Sequence, residues 1–90
     1  MRLDDALFNW LQIEIVAEAR PDDRAAADTR DFFLEMLTDD HGLSMVRIAE
    51  KDETMIHVKY EREGRVLTKL YPREAGEQLL ADINANPKYN

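Results

Sequence analysis

A chain of 90 residues with no cysteine and a formal net charge of −7 has room for one domain with a modest core and no disulfide to reinforce it. A domain of this length buries roughly 60–65% of the surface that its unfolded form exposes. The acidic balance argues against nucleic acid and anionic membranes as partners, and the missing thiols exclude cysteine catalysis and cysteine-based zinc sites while fitting a cytoplasmic location.

Nothing near the N-terminus has the basic start and unbroken apolar run of a secretory signal. No segment approaches the roughly 20 consecutive apolar residues of a membrane span. A soluble domain covering residues 1–90 is therefore expected. Residues 1–42 hold eleven acids and four bases, and residues 43–90 hold eight of each, so the whole imbalance lies in the first half.

Residues 5–19 read as a helix. Asp4 or Asp5 can cap it, since a short carboxylate accepts from the unpaired amides of a first turn. Leu3, Leu7, Leu11 and Ile15 recur at four-residue spacing, one stripe of a helix. Trp10, Ile13, Val16 and Ala17 lie elsewhere around the wheel. A helix apolar on more than one side is sandwiched between layers or buried in a subunit interface. Pro21 then breaks the chain, and Asp22 is expected to cap a second helix over about 23–40. Its inner arc holds Ala25, Ala26, Thr29, Phe32, Phe33, Met36 and Leu37, with acids opposite. His41-Gly42 ends it, because glycine tolerates the left-handed conformation that follows many helices.

From Leu43 the period changes to two. Residues 45–50 and 55–61 read as strands around a turn at 51–54. Arg62-Glu63-Gly64 fits a type I turn followed by a left-handed glycine bulge. That loop pairs Glu61 with Arg65, Tyr60 with Val66, Val58 with Thr68 and Ile56 with Leu70. A two-residue Glu-Gly turn would shift the register by one and set Val58 beside Lys69; the bulged loop segregates polarity better and is the expected one. Pro72 opens a third helix over 73–84, in which Gly76 costs about 1 kcal/mol relative to alanine unless it admits a close neighbour. Residues 83–90 read as the C-terminal end and a frayed tail.

The expected fold is α+β with order α-α-β-β-β-α. A helical hairpin precedes a three-stranded antiparallel meander and a C-terminal helix, in two layers. One sheet face, with Val46, Ile56, Val58, Tyr60, Val66 and Leu70, packs on the helices. The other carries Met45, Arg47, Met55, His57, Lys59, Leu67, Lys69 and Tyr71, basic groups beside apolar ones. That mixture suits association, and Trp10 and Ile13 on the first helix are further interface candidates.

No catalytic constellation is visible. His41 and His57 have plain readings at a helix end and on a strand, Ser44 lacks a nucleophile elbow, and no glycine-rich phosphate loop or metal-ligand spacing occurs. No cofactor is implied. The functional expectation is a non-enzymatic protein–protein interaction or regulatory domain, most plausibly a homodimer, since small domains often gain burial by pairing. Two alternatives remain open: an anionic-ligand binder using the outer sheet face, and an acidic nucleic-acid mimic that occupies a basic partner.

Overall fold

The computed structural model describes residues 1–86. Its order is α1 (Leu3–Ala19), α2 (Arg24–Asp39), β1 (Leu43–Lys51), β2 (Met55–Arg62), β3 (Arg65–Pro72) and α3 (Arg73–Ala85), the α+β order read from the sequence. The strands form one antiparallel sheet, β1-β2-β3. Asn84 and Ala85 are helical, so the expected tail starts later, and its last four positions lie outside the described residues.

Helix α1 is the centre of the molecule because it has no fully polar side. It packs along both α2 and α3, while Ala6, Leu7, Trp10, Leu11 and Ile15 form one core with Leu37, Leu43, Ile56, Val58 and Tyr71. Ile13, Val16 and Ala17 join a second cluster with Ala26, flanked by Leu79, Leu80 and Ile83. Each fully buried side chain of this size favours folding by about 1.5–3 kcal/mol. The surrounding elements, within one chain, account for the many-sided apolar pattern of α1.

Local signals set most boundaries. The α1 start has no side-chain cap; Arg2 occupies that position, and Asp4 and Asp5 lie in the first turn, where carboxylates favour the positive end of the helix dipole. The cap of α2 is Asp23 rather than Asp22. Its Oδ1 accepts from the Ala26 amide at 3.0 Å and its Oδ2 from Arg20 Nε at 3.2 Å, and these donors hold its carboxyl below the usual carboxylate range. Gly42 has φ +70° and its amide donates to Thr38 O at 3.2 Å, the expected left-handed exit. Pro72 is both the last residue of β3 and the residue before α3, so strand passes to helix without a linker.

The β2–β3 register corrects the sequence reading. Glu63 and Gly64 both have positive φ, +53° and +77°, as a type I′ turn requires. Arg62 pairs with Arg65, Tyr60 with Leu67, Val58 with Lys69 and Ile56 with Tyr71. The bulged loop is absent, and every β3 side chain sits on the face opposite to the one expected. Strand β1 instead carries the irregularities, with shifts between Leu43 and Met45 and between Ile48 and Glu50.

The β1–β2 turn is tied to α3. Asp52 Oδ1 accepts from the amides of Thr54 at 2.9 Å and Met55 at 2.7 Å. Arg73 donates from Nη1 to Asp52 O at 3.0 Å and from its backbone amide to Thr54 O at 2.8 Å. The same guanidinium pairs with Glu77 at 3.2 Å, so one arginine joins the first turn of α3 to the far end of the sheet.

Candidate interaction surface

In the corrected register the sheet face away from the helices carries Met45, Arg47 and Glu50 from β1. From β2 it carries Met55, His57, Lys59 and Glu61, and from β3 Val66, Thr68 and Leu70. Met45, Arg47, Met55, His57 and Lys59 therefore stand together as expected. Leu67, Lys69 and Tyr71 do not: they belong to the helix-facing side. Tyr71 is only 8% exposed, in the core, with its ring 5.5 Å from that of Phe8. Burial, followed by the nearby Asp4 carboxylate, pushes its phenol up to about 12. Its hydroxyl has no hydrogen-bond partner among the described residues. Val66 and Leu70, assigned to the core by the sequence reading, are the exposed ones in their place.

Trp10 and Ile13 are also relocated. Trp10 is 3% exposed within the main core and Ile13 is packed in the second cluster. Both contribute to packing between α1 and its neighbours within the chain.

The basic patch expected from His57, Lys59 and Lys69 is dispersed. Lys69 Nζ lies 3.7 Å from Asp4 Oδ1 on the helix-facing side. His57 Nε2 lies 2.8 Å from Asp52 Oδ2. This contact, with the two turn amides on the other oxygen, holds the Asp52 carboxyl down at about 2. Arg47 and Lys59 are direct cross-strand partners and form no ion pair among the described residues. Like charges facing across a ladder are mildly destabilising.

The sequence reading missed Val66 and Leu70 as the apolar part of this surface, while Leu67 stands exposed on the opposite side of the same strand. Val66 is 56% exposed, Leu67 41% and Leu70 49%. These are half of the large hydrophobic side chains exposed among the described residues, the others being Met1, Phe32 and Leu34, and all three lie on one edge strand. Only the turn chemistry at Glu63-Gly64 could have disclosed Val66 and Leu70.

No group of three or more His, Asp or Glu side chains among the described residues is placed to hold a metal ion. No helix among them is long and apolar enough to cross a membrane. Comparison with protein-family models, curated proteins and solved structures finds no match to this chain.

Proposed function

We propose that the chain is a small protein-association domain that acts by contact rather than by catalysis and pairs with a second copy of itself. The reading is carried by the concentration of exposed Val66, Leu67 and Leu70 on the one edge strand β3, Leu67 on one side and the other two on the opposite side, since exposed apolar side chains gathered in one place mark interaction surfaces. The small core gives a reason to associate. The lack of cysteine suits a reducing compartment, and the proposal includes a cytoplasmic setting. Light scattering on a sizing column tests it at roughly 100 μM protein, where a micromolar dimer is almost fully formed. A strictly monomeric mass rejects self-association.

A second reading keeps one observation, the unpaired Arg47 and Lys59 side by side on the outer face, and makes them a docking point for an anion. Phosphate at millimolar concentration should then raise the thermal midpoint, because a ligand specific to the folded state stabilises it. An unchanged midpoint for both phosphate and a nucleotide removes this reading.

A further inference from the structure

We infer that two copies join edge to edge through β3, antiparallel and centred on Thr68, so that their sheets continue into one of six strands. The inference rests on the association reading above and supplies its partner and register.

The two sheet edges differ. β1 is interrupted by two register shifts and carries Arg47, Glu50 and Lys51. Bulges and charges of this kind are how native edge strands avoid pairing with other chains. β3 pairs with β2 without irregularity from Arg65 to Pro72. Between those ends its only charged residue is Lys69. One edge is blunted and the other is left regular and apolar.

The backbone of β3 is set up for a further strand. A two-residue turn makes Arg62 and Arg65 the closing hydrogen-bonded pair, and pairs alternate along an antiparallel ladder. Leu67, Lys69 and Tyr71 thus turn their amides and carbonyls toward β2. Val66, Thr68 and Leu70 turn theirs outward. None of the backbone bonds made outside helices and strands among the described residues involves these three.

The side chains select the register. With Thr68 on the two-fold axis, Val66 of one copy faces Leu70 of the other, twice, with the threonine pair between them. The three outward-facing residues then become the hydrogen-bonded pairs, giving about six new backbone bonds. On the other face Leu67 lies against the aliphatic stem of Lys69. An axis at Leu67 sets Arg65 against Lys69, and an axis at Lys69 sets two lysines against each other, both unfavourable. Axes nearer the strand ends pair fewer residues or bring in Pro72, which has no amide to donate. Thr68 is left as the centre that aligns the strand with itself and keeps like charges apart.

The test is sedimentation velocity on the whole chain, with circular dichroism as the fold control, for the unaltered protein and Thr68→Pro, Thr68→Glu and Arg47→Glu. Proline at 68 removes an outward amide that the β2–β3 ladder does not use, so the fold is retained while two central bonds of the pair are lost. The dimer should then dissociate at least about fivefold more readily, since each bond contributes about 0.5–1.5 kcal/mol. Thr68→Glu sets two carboxylates together on the axis and should also yield monomer; it decides the matter if the proline variant unfolds. Arg47→Glu, on the outer face but on β1, two strands from the β3 edge, should remain dimeric. A dimer that persists in a folded Thr68 variant overturns the edge pairing and leaves the association reading standing. Monomer in Arg47→Glu with dimer in the Thr68 variants places the contact on the sheet face instead. A monomer for the unaltered chain overturns both.

Discussion

Gly76 offers a direct test of how α3 is packed. A Cβ added there meets Ile56 Cδ1 at 2.8 Å, Leu11 Cδ2 at 3.4 Å and Ile15 Cδ1 at 3.8 Å. Carbon contacts are most favourable at about 3.5–4.0 Å, so the first is too close by about 0.7 Å or more. Alanine gains about 1 kcal/mol of helix propensity over glycine, whereas overfilling a core costs about 1–3 kcal/mol. Ile56 is fully buried, with little room to yield, so Gly76→Ala should be destabilising on balance by up to about 2 kcal/mol. Ile56→Val removes the offending methyl and should cost about 0.5–1.5 kcal/mol alone. The two changes together should be at least about 1 kcal/mol more stable than their sum, because the new methyl enters the space the old one leaves. Urea unfolding of the four proteins measures the cycle. Additivity within about 0.3–0.5 kcal/mol, or stabilisation by Gly76→Ala alone, would refute the packing argument.

Three further outcomes follow from features of the turns and the core. Glu63 holds φ +53° without being glycine, so Glu63→Asn, the preferred residue at this position of a type I′ turn, should stabilise by about 0.5–1 kcal/mol in the same assay; no gain would count against the turn type. Asp52 has a folded-state pKa of about 2, below its ordinary 3.8, so the unfolded chain binds more protons between those values. Its stabilising contribution is complete above about pH 4 and is lost as pH falls towards 2; Asp52→Asn should flatten the pH dependence of urea midpoints in that window, and an unchanged slope would remove the His57–Asp52 contact as its cause. Tyr71→Phe deletes a buried hydroxyl that has no partner among the described residues and should leave stability unchanged or raise it by about 1–3 kcal/mol. In an alkaline absorbance titration of the unaltered chain, one of the three tyrosines should ionise near 12, and that step should be missing from the variant.

The order of elements was legible because each has a strong local sign. The four-residue stripe of Leu3, Leu7, Leu11 and Ile15 marks α1, Pro21 and Gly42 mark the ends of α1 and α2, and period-two alternation marks the sheet. The register of β3 was not legible, for a physical reason. Hydrophobic alternation reports register only where one face is buried and the other is not. β3 is an edge strand whose residues 65–68 are exposed on both faces, and it gives the core little besides Tyr71. Polarity therefore pointed the wrong way: Val66 and Leu70 face out, while Lys69 lies on the helix side beside Asp4. The turn sets the register instead, and its signal was muted by a glutamate where asparagine or glycine is usual. The candidate surface inherited this error in Leu67, Lys69 and Tyr71, and kept Met45, Arg47, Met55, His57 and Lys59 because β2 alternates between a buried and an open side.

The irregularities of β1 bear on how far assembly can proceed. A protein with two smooth sheet edges can add copies at both, and head-to-tail addition that does not close grows into a fibre. Here Ser44 and Ala49 fall at the register shifts of β1, so that edge offers no continuous template to an incoming strand. In the proposed pairing, growth through β3 would stop at two copies, each using the one edge it has. The chain's protection against filaments would reside in the strand that makes no contact with the partner.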